Sequence, residues 1–154
     1  MAEVPQLILA DEAETARVAA ALAAVLRPGD IVALSGELGA GKTSLARGVM
    51  AALGWHGEVP SPTYTLVQSY DPPDVRVPVW HIDLYRLDSP DEADALGLFE
   101  TDAALLIEWP ERLGARLPAE ALRLHIAGSG DARRRLTWEA PKAWEGRWPP
   151  VFPK

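Results

Sequence analysis

One stretch constrains this chain more than any other, because residues 36–43 read G-E-L-G-A-G-K-T and match the pattern G-x-x-x-x-G-K-T. Residues 31–35 before it form a short apolar run that is typical of a strand, and residues 43–53 after it carry apolar side chains at helical spacing. Glycines allow backbone angles that a Cβ forbids, so main-chain N–H groups can turn inward on an anion. The stretch therefore predicts a strand, a phosphate-binding loop and a helix.

Two side chains of this stretch have specific predicted roles in binding a nucleotide. Lys42 is expected to reach the β- and γ-phosphates, and the hydroxyl of Thr43 is expected to bind Mg²⁺, which phosphate oxygens and water would mostly hold. The helix begins at the loop, so its positive end also faces the anion. The predicted nucleotide-binding residues of the stretch are Gly36, Glu37, Leu38, Gly39, Ala40, Gly41, Lys42, Thr43 and Ser44.

Composition limits the classes of protein to which the chain can belong. A length of 154 residues suits one domain with a core of its own. The absence of Cys excludes disulfides, thiolate zinc sites and Cys nucleophiles, and the three His show no metal-ligand spacing. No apolar run is long enough to span a membrane, and the acidic first residues lack a signal-peptide pattern. We therefore expect a cytoplasmic protein.

The net charge of -7 argues against a chain whose main task is to grip a phosphate backbone, because such proteins show a basic footprint. The run Arg133-Arg134-Arg135 is interpreted as a solvated strand end for the same reason. Any role in nucleic-acid metabolism is therefore expected to run through a protein partner.

The hydrophobic pattern predicts alternating strands and helices. Asp11 and Glu14 have the spacing of a capping box, and Ser89 followed by Pro90 is a strong helix start. Further helices are predicted after the glycine loop and, briefly, over residues 110–117. The predicted strands are residues 4–10, 31–35, 66–70, 75–82, 103–108, 122–126 and 134–138, with the third and fourth, and the last two, as hairpins.

A loop rich in proline and hydroxyl groups follows the predicted helix after residue 43. Residues 59–65 read V-P-S-P-T-Y-T, which cannot continue a helix. In nucleotide-binding proteins of this type, a loop at this position often carries a hydroxyl that senses the γ-phosphate and Mg²⁺. Thr63 and Thr65 are the candidates.

Two acidic residues stand at the ends of apolar strands. Glu108 ends the run 103–108, which has the form of a buried parallel strand that delivers a carboxylate to Mg²⁺ or to the attacking water. Asp83 ends another apolar run and has a similar claim. One acid can orient the ligands of the metal while the other orients the water, and the residues alone leave the assignment open.

These motifs together resemble the TsaE (YjeE) family of bacterial P-loop ATPases, in one order from about residue 11 to residue 126. The matching stretches are L-S-G-E-L-G-A-G-K-T-S-L-A-R-G (34–48), S-P-T-Y-T-L-V (61–67), H-I-D-L-Y-R-L (81–87), E-A-D-A-L-G-L (92–98) and L-I-E-W-P-E-R (106–112). The resemblance implies an α/β fold: a single P-loop NTPase domain over residues 1–140 with a mixed, largely parallel central sheet flanked by helices, plus a C-terminal β-hairpin. Residues 141–154 then form a Pro- and Trp-rich tail that either packs back on the domain or docks a partner.

The resemblance also implies a function. It predicts a Mg²⁺-dependent ATPase required for N6-threonylcarbamoyladenosine (t6A37) modification of tRNA. Such a protein binds the TsaD–TsaB pair, contacts tRNA only indirectly, and uses ATP to support repeated turnover. The family pattern implies that Thr43 and Glu108 hold the metal, that Asp83 is the catalytic acid, that Thr63 and Thr65 lie in a switch-like loop, and that Trp109 moves with nucleotide state.

Two other functions remain open from the residues. A small-molecule P-loop kinase is the main alternative, but no Arg-rich lid segment is evident in the sequence. A GTPase-like switch is the other, but the N-K-x-D segment that usually gives guanine specificity is missing, which favours adenine. The adenine contacts are placed only as a guess, at the helix start near Asp11 and Thr15.

Overall fold

The computed structural model describes residues 6–37, 41–60, 62, 66–128 and 133–149. Five of the predicted nucleotide-binding residues lie outside these ranges: Leu38, Gly39, Ala40, Thr63 and Thr65. The remaining predicted site residues are all described.

Within these described ranges, seven strands form one sheet in the order β1-β7-β6-β2-β5-β4-β3. The central pairs β6–β2, β2–β5 and β5–β4 are parallel, while the pairs at both edges are antiparallel. The predicted α/β fold with a mixed sheet is confirmed, and the C-terminal hairpin is part of that sheet. The strands are β1 (Gln6–Leu9), β2 (Ile31–Ser35), β3 (Val67–Tyr70), β4 (Val79–Asp83), β5 (Ala104–Glu108), β6 (Leu122–Gly128) and β7 (Arg134–Glu139).

Helices cover the two faces of the sheet unequally. Helices α1 (Glu12–Val25) and α2 (Lys42–Ala52) pack against each other and against one face. The short helix α3 (Pro90–Asp94) and a 3-10 helix (Pro110–Arg116) cover the other face. Among the described residues, no helix is long and apolar enough to cross a membrane.

The alternation of side chains along the strands decides which face each acid occupies. In β5, Ala104 and Leu106 pack with α1 and α2, whereas Leu105 and Ile107 pack on the opposite face. Because the side-chain period of a strand is two residues, Glu108 falls on the α2 face. The same rule places His81 and Asp83 there, because Val79 packs with α2 and Ile82 with the opposite face.

Local capping signals act as the sequence predicts at both long helices. The Asp11 side chain accepts a hydrogen bond from Glu14 N at 3.0 Å, which begins α1. Gly54 follows α2 with φ +114°, a left-handed angle that only glycine adopts without strain. Ser89 has the extended backbone of a cap but makes no side-chain capping bond, and α3 ends after five residues.

The predicted strand over residues 75–82 is wrong in its first half. The ladders of β4 with β3 and with β5 both begin only at Val79. Val75 and Val77 are buried in the core without strand pairing. The apolar alternation of these residues reflects their burial in the core, and it does not reflect pairing with another strand.

The described part of the tail, residues 141–149, packs back on the domain. Trp144 and Trp148 are buried in the same core as α1 and α2. The Arg147 guanidinium forms an ion pair with Asp30, donates to Val25 O at 2.7 Å and lies over the Trp144 ring. The tail thus covers the end of α1 and the start of β2.

Candidate functional site

The site lies where the parallel strands β2, β5 and β4 end, next to the first turn of α2. In β4 and β5, Asp83 and Glu108 are register partners. Residue Leu34 of β2 pairs with Glu108, so the glycine loop that follows β2 begins beside that carboxylate. Ligands of open parallel sheets bind at this edge, outside the carboxyl ends of the strands.

Gly41 starts α2 in a left-handed conformation, with φ +111° and ψ +10°. A residue with a Cβ pays a steric cost at these angles, so glycine suits this position. The chain can then turn from the loop directly into the helix, which points the free N–H groups of the first turn at the edge of the sheet.

Lys42 is folded back onto its own loop. Its ammonium donates to Gly36 O and, at 3.4 Å, to Glu37 O. The Trp109 ring lies over the same ammonium, with the ring centroid 3.7 Å away. Carbonyl oxygens and an aromatic face both attract a cation, so the amine is held ready in the place where an anionic ligand would bind.

Burial lowers the pKa of Lys42 below its ordinary value, and the carboxylates Glu108, Glu111 and Asp83 act in the opposite direction. Only 4% of the residue is exposed, so desolvation of the ammonium dominates. A phosphate that contacted Lys42 would add the strong negative charge that the buried ammonium needs.

Thr43 and Glu108 meet at the start of α2. The Thr43 hydroxyl donates to Glu108 Oε1 at 3.2 Å, with Oε2 at 3.5 Å. Glu108 is 2% exposed. The structure thus brings together the two residues that the sequence predicts as metal ligands.

The chemistry of this pair fits Mg²⁺. Both groups are oxygen donors, which Mg²⁺ prefers, and a hydroxyl and a carboxylate within hydrogen-bond distance can share one octahedral shell. Within the described ranges, no group of three or more His, Cys, Asp or Glu residues could hold a metal. Such a site suits an ion that phosphate oxygens and water also hold.

Asp83 lies beside Glu108 and is 4% exposed. Its Oδ1 accepts a hydrogen bond from Tyr85 N at 2.9 Å, and its backbone N–H donates to Leu66 O at 2.9 Å. The first bond holds the carboxylate at the strand end, and the second ties the strand to the residue after the predicted switch loop.

That loop is anchored on both sides of its undescribed residues. Before them, the Arg47 side chain of α2 donates to Val59 O at 2.8 Å. After them, Leu66 N donates to Pro62 O at 2.7 Å, and Leu66 adopts a left-handed φ of +67°. The loop therefore connects α2 to the Asp83 strand end.

His81 is a site residue that the sequence analysis missed. Its Nε2 lies 2.6 Å from Glu108 Oε2, and its ring is fully buried. The spacing of the three His in the sequence does not reveal this role, because His81 contacts a carboxylate. Its position two residues before Asp83 was the available signal, since both then share a face.

A cavity opens beside Gly41 and Ser44 at the start of α2. It measures about 210 Å³ and is lined by Leu9, Asp11, Glu12, Thr15, Gly41, Ser44 and Arg134. It joins the start of α1 to the start of α2. The guessed position of the adenine contacts falls on this cavity.

Comparison with known proteins decides the family. The family model described as "Threonylcarbamoyl adenosine biosynthesis protein TsaE" matches residues 9–136. The chain belongs to the TsaE family. The TsaE match ends within β7, so the tail after it lies outside the matched residues.

Several relatives carry the name tRNA threonylcarbamoyladenosine biosynthesis protein TsaE. The one from Bacillus subtilis is 38% identical over 130 residues, which is 82% of this chain and 80% of the relative. The one from Rickettsia bellii is 39% identical over 132 residues, which is 84% of this chain and 90% of the relative. The resemblance stated from the motifs is confirmed.

A solved structure has the same fold. The crystal structure of Bacillus subtilis YdiB matches with a TM-score of 0.73 at 32% identity, and the match covers 91% of this chain and 88% of that one. The TsaE chain described here thus shares its architecture with a crystal structure over nearly its whole length.

Proposed function

We propose that this chain is a Mg²⁺-dependent ATPase that serves the t6A37 modification of tRNA by binding a TsaD–TsaB pair and using ATP hydrolysis to support its turnover. The observation that carries the ATPase is the convergence of Lys42, Thr43, Asp83 and Glu108 at one edge of the sheet. Family membership supports the pathway.

Residues Gly36 to Ser44 form the phosphate site in this proposal. Lys42 gives up its bonds to Gly36 O and Glu37 O for the β- and γ-phosphate oxygens, which carry more negative charge than carbonyls. This exchange also compensates the burial of the ammonium.

Thr43 and Glu108 hold the metal side of the site. When bound, Mg²⁺ neutralises charge that develops on the phosphates. The Thr43 hydroxyl on α2 and the Glu108 carboxylate on β5, which are within hydrogen-bond distance of each other, would be the protein ligands of the ion. Asp83, whose carboxylate accepts a hydrogen bond from Tyr85 N, orients the attacking water. Thr63 and Thr65 sense the γ-phosphate, and Leu66, which follows them in the chain, bonds to the Asp83 backbone.

The cavity beside Gly41 and Ser44 is the proposed adenine and ribose site. It adjoins the phosphate loop, and its lining includes Thr15 and Arg134, which can donate hydrogen bonds to a base or sugar. Arg134 of β7 is thus a proposed contact of the nucleotide in addition to Asp11 and Thr15.

The proposed partner is the TsaD–TsaB pair, and the proposed place of action is the cytoplasm. With a net charge of -7, the chain repels a phosphate backbone, so the proposed contact with tRNA is indirect. The proposed function involves no membrane. The relatives are named for biosynthesis of the modified nucleoside, which supports this pathway.

The test measures ATP hydrolysis by the purified chain, alone and with the TsaD and TsaB proteins of the same organism. We expect slow hydrolysis alone, a clear rise with the pair, and loss of both in Lys42→Ala. Hydrolysis that does not respond to the pair contradicts the partner. ATP loss that requires a small-molecule acceptor points to the kinase instead.

A further inference from the structure

The carboxylate of Glu108 is held from two sides. Thr43 donates to Oε1 from α2, and the His81 ring contacts Oε2 at 2.6 Å from the neighbouring strand β4. His81 and Glu108 are both at most 2% exposed. A carboxylate that is buried to this extent needs partners for both oxygens, and these two side chains supply them.

The direction of the His81 bond follows from the chemistry of the two groups. In the proposed metal role Glu108 is a carboxylate, which only accepts hydrogen bonds, so the His81 ring donates from Nε2. The other ring nitrogen, Nδ1, is buried and has no hydrogen-bond partner among the described residues. The bond to Glu108 is thus the hydrogen bond that holds the buried His81 ring within the described residues.

The two contacts differ in what they contribute. Thr43 is itself a proposed metal ligand, so its bond to Glu108 is given up when the ion binds. His81 lies behind the carboxylate, on the strand side, and can keep its bond throughout. Groups in this outer position orient metal ligands, and their loss commonly costs 10- to 100-fold in metal affinity or activity.

We propose that His81 is a positioning residue, whose hydrogen bond to Oε2 fixes the Glu108 side chain so that Oε1 faces Thr43 and the metal. The inference rests on the proposed metal role of Glu108. It adds that this role depends on a fully buried imidazole on the next strand.

The test compares two amides that place their N–H groups differently. The side-chain nitrogen of Gln in His81→Gln falls near the position of Nε2, whereas that of Asn in His81→Asn falls near Nδ1. The measured quantity is Mn²⁺ affinity in the presence of saturating ADP, followed by electron paramagnetic resonance, because Mn²⁺ takes the same oxygen ligands as Mg²⁺. We expect an affinity about ten-fold weaker for His81→Asn and close to wild type for His81→Gln.

Two further measurements separate positioning from a merely structural role. ADP affinity without metal should stay at the wild-type value in both variants, because the phosphate loop is unchanged. Wild-type Mn²⁺ affinity in His81→Asn, or equal weakening in both variants at matched thermal stability, overturns the inference. Glu108→Gln is the reference: if it leaves Mn²⁺ affinity unchanged, the metal role of Glu108 fails, and the inference fails with it.

A measurement on the unmodified chain covers the case in which a variant does not fold. In ¹⁵N-labelled protein, nuclear magnetic resonance reports which ring nitrogen carries the proton. We expect His81 with its proton on Nε2 and protected from exchange with solvent. A ring without a proton on Nε2, or with a rapidly exchanging one there, overturns the proposed bond.

Discussion

Asp83 and Glu108 show how two acids of one strand-end pair can differ in role. Glu108 contacts Thr43 at the start of α2, whereas Asp83 contacts the backbone of Tyr85 and, through its own N–H, Leu66. The contact with Thr43 favours metal binding for Glu108. The position near the predicted switch loop favours the water-orienting role for Asp83.

Separate alanine substitutions test this division. We expect Glu108→Ala to weaken Mg²⁺-dependent binding of ATP, because the metal loses a ligand. Asp83→Ala should bind ATP nearly as the wild type does but turn over at least about 100-fold more slowly, because it loses the group that orients the water. Equal loss of ATP affinity in the two variants, measured by calorimetry, contradicts the division.

At Lys42 the proposed binding of phosphate is expected to conflict with the stability of the folded chain. Because burial lowers its pKa, its charged form is less favourable in the folded chain than in the unfolded chain. Lys42→Met keeps the aliphatic stem and removes this charge. In the absence of nucleotide we expect the variant to unfold at an equal or slightly higher temperature, and to lose the stabilisation that ATP gives the wild type.

The pH dependence of this difference has a definite sign. Between the lowered pKa of folded Lys42 and the ordinary value of 10.5, the unfolded chain binds more protons than the folded one. The wild type should therefore gain stability relative to Lys42→Met as pH rises through that alkaline window. A difference that widens in favour of Lys42→Met with rising pH, measured by urea unfolding, contradicts the assigned direction.

At the scale of elements, the helix pair α1–α2 packs closely through a glycine that the sequence analysis did not single out. A Cβ built on Gly48 would lie 2.7 Å from the Cβ of Ala19 in α1, closer than such atoms approach. Gly48 therefore lets α2 lie against α1, and α2 carries the first turn that faces the site.

Gly48→Ala tests this contact. Alanine favours a helix over glycine by up to about 1 kcal/mol, but overpacking costs about 1–3 kcal/mol, so we expect net destabilisation. Ala19→Gly removes the opposing Cβ and should make Gly48→Ala much less harmful in the double variant. Denaturant unfolding of the four proteins gives the coupling, and additive effects of the two substitutions would contradict direct contact.

The elements that the sequence predicted correctly are those with local signals. The succession of β2 and α2, the Asp11 cap and the β6–β7 hairpin each depend on neighbours in the chain. The strand β4 was predicted too long, because burial of Val75 and Val77 produces the same alternation as strand pairing. Where a strand pairs depends on the neighbouring strands, which a local pattern does not contain.

The sequence predicts that Asp83 and Glu108 lie together, but it does not predict the contacts that their carboxylates make. Both residues end neighbouring parallel strands, and such strands end at a common edge of the sheet. The bonds from Thr43 and His81 to one carboxylate join residues 65 and 27 positions away from it in the chain. Only the register of β4 and β5 and the placement of α2 reveal them.

At the scale of the molecule, the tail closes the end of the sheet opposite the site. Arg147 pairs with Asp30, just before β2, and Trp144 Nε1 donates to Glu120 O at 3.2 Å. The five residues of β2 separate this end from the glycine loop by roughly 17 Å. We propose that residues 1–140 form the ATPase domain and that the tail from residue 141 stabilises it from the far side.

Arg147→Met tests this role, with Lys142→Met as the control, because Lys142 is an exposed cation in the same segment. Asp30 is left without its ion-pair partner in the first variant, and its side chain is 14% exposed. We expect a loss of about 2–3 kcal/mol in the free energy of unfolding for Arg147→Met and little change for the control. The ATPase rate of the folded protein should stay the same in both, and a selective loss of that rate would contradict a purely stabilising tail.

The number of t6A-modified tRNA molecules formed per TsaD–TsaB pair tests the proposed function most directly. The pair receives tRNA and its threonylcarbamoyl donor, with wild-type chain, Lys42→Ala or no added chain. We expect repeated turnover only with the wild-type chain and ATP. With Lys42→Ala or without the chain, we expect little modification beyond a first round. Equal turnover with Lys42→Ala would contradict it, because the modification would then not depend on the nucleotide site at the start of α2.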